Sequence, residues 1–276
     1  MTRPSNPSGF SLIELAIVLF IVSLLIGGML IPLSAQTEIR GHQETEKALA
    51  TIREALIGFA AINGRLPCPA VASIPSGTTV SGLQAGIEAT TPAGANGPCA
   101  CATSATSGIA GIVGAGAVAC SDASPSTDSV GGVLPWATLG LQESDAWDHR
   151  YTYRVSTQFA RAATGQTTFG ACTPATPVQN AAFALCSLGA LSVATAASGG
   201  TTVAGNVPVV VLSHGKNGLG ATSPTGIVTA AAAAADEVEN ADNNVAFVSN
   251  TIIDDQLVWV PTSVLMSRML AAGRLP

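Results

Sequence analysis

Charge is scarce in this sequence, with Asp, Glu, Lys and Arg making up 10% of the 276 residues. Only Lys47 and Lys216 are lysines, and 11 basic residues face 17 acidic ones, for a formal net charge of -6. Such a surface repels phosphate, so broad nucleic-acid binding is excluded from the expected functions. Aromatic residues are few as well, at 4%. That poverty does not read as disorder, because disorder by composition needs low hydrophobicity together with high net charge, and 47% of these residues are hydrophobic. With 29 Gly and 16 Pro, the expectation is a folded, loop-rich chain with one sizeable core, or one core and a small appendage. Histidine is also rare, and none lies near Cys99 and Cys101. Their spacing is not that of zinc-ligand pairs, which leaves disulfides or free thiols as the reading of the cysteines.

What the sequence does have is one long apolar run. Residues 1–9 (MTRPSNPSG) are polar, and residues 10–33 (FSLIELAIVLFIVSLLIGGMLIPL) are apolar except for Glu14. The run exceeds the roughly 20 residues a helix needs to cross a bilayer. Arg3 precedes it and no charge follows at once, which predicts a cytoplasmic N-terminus and the bulk of the chain outside. A secretory signal cut after Ala35 is the plain alternative. The run is longer than the 7 to 15 residues of a signal's apolar region, and a signal gains nothing from a buried carboxylate. Glu14 within lipid costs up to about 2.5 to 3.5 kcal/mol at a helix centre and so needs a partner. No basic residue within residues 10–39 can supply one. The partner must come from another chain or from a newly exposed amine.

The string Gly9-Phe10-Ser11-Leu12-Ile13-Glu14-Leu15 resembles the cleavage and methylation signature of type IV pilins and type II secretion pseudopilins. That resemblance implies a membrane-embedded aspartyl prepilin peptidase that cuts between Gly9 and Phe10 and methylates the new amine. It implies that Glu14 pairs with the Phe10 amine of a neighbouring subunit, which supplies the partner the apolar run lacks. Pro32 lies one residue beyond where many pilins carry a helix-loosening proline, and Gly27-Gly28 precede it, so a bend or melted turn near residues 27–33 is expected in an assembled filament. The segments 63–70, 134–141, 211–221 and 254–276 resemble, more loosely, a large group of prepilin-like proteins. With a chain this long, they suggest a large minor subunit.

Beyond the apolar run, Leu49, Ile52, Leu56 and Phe59 recur at helical spacing, and Asn63-Gly64 followed by Pro67 marks an end. This predicts an amphipathic continuation of the helix over residues 34–64, packed on an extracytoplasmic, β-rich domain of residues 65–276. Residues 70–131 hold no Lys or Arg and are dominated by Ala, Gly, Ser, Thr and Pro, which reads as a variable loop with a short strand near 109–113. Strands are expected at Tyr151-Tyr153-Val155, 183–185, 207–212, 246–248 and 257–260. The fold class is α+β: a long N-terminal helix on an antiparallel sheet, as in pilins.

The six cysteines all follow the apolar run, so on this topology they face an oxidising compartment. Of fifteen possible connectivities, Cys172 with Cys186 and Cys68 with Cys120 are favoured. Ser213-His214-Gly215-Lys216 invites a hydrolase reading, but nothing fixes an Asp to orient His214. Asp236, Glu239 and Asp242, with Glu237 and Asn240 between them and Asn243 following, form a run of oxygen donors suited to Ca2+, though not at EF-hand spacing. A solvated loop is the plainer reading of that run. His42, and His149 beside Asp148, read as surface or hydrogen-bonded residues rather than ligands. The expected protein is a structural subunit and not an enzyme, with no cofactor, and with prepilin peptidase, other pilin or pseudopilin subunits and the inner membrane as partners. A membrane-anchored adhesin or enzyme with a pilin-like anchor is the alternative.

Overall fold

A computed structural model describes residues 11–80, 82–90, 99, 129–161, 163, 172–173, 178, 180–242 and 244–275, with the side chains of 27–35 excepted. The chain divides into two units, Met1–Gln43 and Glu44–Pro276. Helix α1, Leu12–Asn63, begins in the first unit and ends in the second. Its backbone is helical through Gly27, Gly28 and Pro32. It stops where the sequence places the stop. Gly64 takes φ +72 and donates its N–H to the Ala60 carbonyl at 2.8 Å, and a Cβ there would run into the Asn180 carbonyl. Residues 10 and earlier, Cys101, Cys120 and the strand expected at 109–113 lie outside the described residues.

In the second unit the helix buries Thr45, Leu49, Ile52, Leu56 and Ala60, spaced by three and four, while Glu46, Arg53 and Glu54 stay exposed. Phe59 is only half buried and carries the Arg65 guanidinium 5.5 Å above its ring. After the helix come β1, Thr79–Val80, and β2, Leu83–Gln84, an antiparallel pair. Then follow β3, Ser129–Val133; α2, Trp136–Leu139; β4, Thr152–Ser156; and α3, Thr157–Ala160. The remaining elements are β5, Leu191–Ala194; β6, Thr202–Val207; β7, Val209–Ser213; α4, Ala235–Ala241; β8, Ala246–Val248; β9, Gln256–Val260; and α5, Thr262–Ala271.

A four-stranded antiparallel sheet, in the order β3-β4-β7-β9, organises this unit. Register puts Tyr153, Val211 and Val258 in one row and Val155, Val209 and Val260 in the next. These rows join the core that contains Leu49, Ile52 and Leu56 of α1, with Leu265 and Met269 of α5. On the other face Val210, Leu257 and Trp259 pack with Leu191, Val193, Val207 and Phe247 of a second sheet, ordered β6-β5-β8. Both faces of β7 are therefore covered, which is why its sequence is a continuous apolar run rather than an alternation. The second sheet departs from the antiparallel expectation, since β5 and β8 run parallel. A crossover through β6, β7 and α4 makes that geometry possible.

Two expectations need correction. Residues 183–185 form no strand: the Ala184 N–H donates to Ser187 Oγ, the Ser187 N–H returns to the Ala184 carbonyl, and Phe183 is buried 4.6 Å from the Phe159 ring. Within the expected loop, residues 70–80 and 82–90 are built into the unit. Ala70, Ile74, Ala85, Val133 and Trp136 form a small separate core there. A buried arginine holds it: Arg150 donates to Glu143 Oε1, to the carbonyls of Ala72, Ile74 and Pro224 and to Ser76 Oγ, and its guanidinium lies 4.7 Å from the Trp136 ring centre. At the other end of the chain, Arg274 donates to the carbonyls of Ala61 and Ile62, the last turn of α1.

Candidate functional site

The N-terminal segment is built on its helix start. Ser11 is the N-cap: its carbonyl accepts the Leu15 N–H at 3.2 Å and its Oγ accepts the Ile13 N–H at 3.2 Å. Glu14 completes the arrangement by accepting the Ser11 N–H on Oε2 at 3.2 Å. This is a capping box, Ser-x-x-Glu, in which two orphan amide donors of the first turn are satisfied reciprocally. Every described residue of 12–26 is exposed, including Leu12, Ile13, Phe20 and Leu24. An apolar helix surface of this extent, interrupted by a single carboxylate, requires lipid or other subunits around it. Among the described residues no helix is long and apolar enough to cross a membrane.

The sequence points Glu14 toward a cation, whereas its partner in the structure is the neutral backbone N–H of Ser11, one turn away. The signal was present, as a serine three residues before a glutamate at the head of an apolar run.

Among the described residues the cysteines pair as Cys68–Cys99 and Cys172–Cys186. The second pair is the expected one. The first replaces the expected Cys68–Cys120, for a reason local to Glu88. Its carboxylate takes both guanidinium arms of Arg65, at 2.8 and 2.9 Å, and the Cys68 N–H at 3.0 Å, while the Ala89 N–H binds the Pro69 carbonyl. Residues 88–90 thus lie beside 65–69, and the bridge between Thr90 and Cys99 delivers Cys99 to Cys68.

Ser213 and His214 do not form a relay. The Ser213 hydroxyl donates to Asp145 Oδ2 at 2.6 Å, while His214 Nε2 meets Thr152 Oγ1 at 2.9 Å. Burial, with His149 nearby, lowers the His214 pKa to about 4, so the ring is neutral and held as a core residue. His149 Nδ1 lies 3.1 Å from the Gly215 carbonyl, and a Cβ on Gly218, at φ +60, would strike the His149 ring. The GKNGLG segment is therefore a close-packed turn. A cavity of about 270 Å³ borders His214, Thr152, Thr222, Asn240 and Asp242.

The expected calcium donors do not converge. They sit on α4 and its end rather than in a loop. Asp236 accepts from the Ala197 N–H and from Asn250, whereas Glu239 and Asp242 both accept from Asn244. Among the described residues no group of three or more His, Cys, Asp or Glu side chains is placed to hold a metal. Asp255 is buried and takes the Asn240 amide at 2.8 Å. Burial raises its pKa to about 7, Asn240 opposes the rise, and Asp254 and Glu237 add to it.

A family model described as the prokaryotic N-terminal methylation motif matches residues 4–30. No curated protein and no solved structure matches the chain. The matched segment contains Gly9, Phe10, the capping box and the head of the apolar run, and it marks a precursor of the kind that prepilin peptidase processes. Over that segment the chain is similar to type IV pilin-like and pseudopilin family proteins.

Proposed function

We propose that this protein is a structural, non-enzymatic subunit, a minor pilin or pseudopilin, of a type IV pilus or a type II secretion pseudopilus. Prepilin peptidase cuts it after Gly9 and methylates the amine of Phe10. Before assembly residues 10–33 anchor it in the inner membrane with the second unit outside, and in the filament the same residues form the core. The observation that carries this reading is Glu14, one carboxylate in an otherwise apolar stretch inside the methylation motif. A buried carboxylate of this kind needs a cation, and cleavage creates one at Phe10 of the adjacent subunit. The tethered-enzyme alternative draws nothing from Ser213 and His214, each of which is held by other residues.

The test compares sheared-filament and membrane fractions for wild type, Glu14→Ala and Glu14→Asp. Removing one member of a buried pair commonly costs about 3 to 5 kcal/mol. Glu14→Ala is therefore expected to strand processed subunit in the membrane, and Glu14→Asp, with its charge withdrawn by one methylene, to assemble weakly. Equal incorporation of all three would remove the assembly role of Glu14.

A further inference from the structure

We propose that Glu44 is a second assembly residue: in the filament it pairs with Arg40 of a neighbouring copy of this chain, and the pair draws its carboxylate onto the buried hydroxyl of Tyr151. This rests on the assembly reading above and names a partner for it. The place is a groove of about 370 Å³ along α1, bordered by Glu44, Lys47 and Ile52 of the helix, by Leu141 and Gln142, and by Tyr151. Its floor is Ile52 and Tyr151, both buried, and its rim is Glu44, Lys47 and Gln142, all exposed. All of these residues belong to the second unit.

The Tyr151 hydroxyl is shut off from solvent and has no hydrogen-bond partner. Buried polar groups are normally paired, so this phenol is a cost to the free subunit. Burial, then Asp145, then Glu44, holds its pKa well above the usual value, and it remains a donor. Two carboxylates are thus near enough to act on it. Asp145 is engaged: Oδ1 accepts the Trp147 and His149 N–H groups, both at 2.9 Å, and Oδ2 takes the Ser213 hydroxyl at 2.6 Å. Glu44 is exposed and makes no ion pair among the described residues. Of the two, Glu44 is the acceptor still available. Alone it stays in water, because entering the groove sheds hydration with no counter-charge to replace it. A cation from outside removes that cost.

The sequence of α1 supplies the cation. Of its basic residues, Lys47 already stands on the rim and Arg53 pairs with Glu54 at 3.6 Å. Arg40 is exposed and makes no ion pair among the described residues. Arg40 precedes Glu44 by four residues, as Phe10 precedes Glu14. A neighbour set four residues along its helix, as the Glu14 pair requires, therefore presents Arg40 to Glu44. The planar guanidinium donates two N–H groups to one carboxylate and leaves it lone pairs for the Tyr151 hydroxyl.

The experiment expresses the full-length chain with its prepilin peptidase and assembly machinery and compares sheared-filament and membrane fractions. The samples are wild type, Arg40→Glu, Glu44→Arg, the two single variants expressed together, and Tyr151→Phe. Intact mass checks that each is processed, and melting of the second unit that each is folded. Either reversal alone is expected to lower incorporation roughly tenfold, because it replaces an attraction by a like-charge contact. Expressed together they are expected to return to within about twofold of wild type, since the acids of one chain then meet the bases of the other. Within either chain the charges still repel, so this rescue reports pairing between chains. Tyr151→Phe is expected to lower incorporation about threefold with the melting temperature unchanged or raised, because the hydroxyl it removes is unbonded in the free subunit. Incorporation of either reversal at the wild-type level overturns the proposal, as does a mixture no better than its components. A fall for Glu44→Arg but not for Arg40→Glu makes a different subunit the source of the cation and overturns it too. Tyr151→Phe at the wild-type level overturns the part given to the phenol. Wild type absent from filaments is a separate result, overturning the assembly reading and this proposal with it.

Discussion

Replacing Arg150 by Met removes the donor set that holds the small core of the second unit. The side chain is fully buried, and the substitution nearly preserves its volume and its apolar stem. Lost are two hydrogen bonds to the carbonyls of Ala72 and Ile74 at 2.8 and 2.9 Å, one to Pro224 at 2.9 Å, one to Ser76 Oγ at 3.1 Å, and the ion pair to Glu143 at 2.8 Å. Each acceptor left without a donor costs about 1 to 3 kcal/mol, but such costs do not add within one network. Breaking a buried pair from one side is the closer guide, at about 3 to 5 kcal/mol. Glu143 keeps 25% of its side chain exposed, so water relieves part of its loss. For a unit of this size, about 2 to 4 °C accompanies each kcal/mol, which predicts a fall in melting temperature of about 6 to 20 °C. Arg150→Lys is expected to do little better, because one ammonium cannot reach donors spread over a planar fork. Differential scanning calorimetry reads the fall, and hydrogen exchange locates it in residues 70–90. A melting temperature within about 2 °C of wild type would refute the reasoning that this guanidinium holds residues 72–76, 143 and 224 together.

Two further outcomes are expected. Peptide mapping of unreduced protein should yield a Cys68–Cys99 linked peptide and a Cys172–Cys186 linked peptide, closing loops of 31 and 14 residues that are worth about 3 to 4 kcal/mol each in the chain-entropy model; a Cys68–Cys120 peptide would contradict the arrangement around Glu88. Asp255, with its pKa raised to about 7, favours the folded state while protonated, so its contribution is full below about pH 4 and is lost as pH rises through 7. His214, lowered to about 4, acts in the opposite sense, with a contribution that is full above about pH 6.5 and lost as pH falls through 4. The two oppose each other between about pH 4 and 6.5, and only Asp255 remains above that. Melting temperature should therefore fall from pH 6.5 to 8 in wild type and stay flatter in Asp255→Asn; equal slopes would show that Asp255 is not the group responsible.

The helix and its stop were legible because they rest on local chemistry. Spacing of Leu49, Ile52 and Leu56, and glycine at a left-handed turn, are visible in any short window of sequence. Strand β7 was legible for the same reason, as an unbroken run of apolar residues. The Cys68 partner was not, since it depends on Glu88 reaching Arg65 and the Cys68 amide, 23 and 20 residues away in sequence. Nothing local marks Arg150 either. An arginine beside His149 and Tyr151 reads as a surface cation until the carbonyls of residues 72, 74 and 224 are brought around it. The parallel pairing of β5 with β8 is likewise a property of the crossover and not of either strand. At the N-terminus the sequence disclosed the demand Glu14 makes but not the amide that meets it in the uncut chain.

The central claim is that this chain is processed as a prepilin, and the mass of its mature form tests that most directly. Intact-mass analysis of protein made in a host with its own prepilin peptidase should show loss of residues 1–9 and the addition of one methyl group, with fragmentation placing that methyl on the amine of Phe10. A mature chain beginning at Gln36, or one still carrying residues 1–9 in the presence of active peptidase, would contradict it.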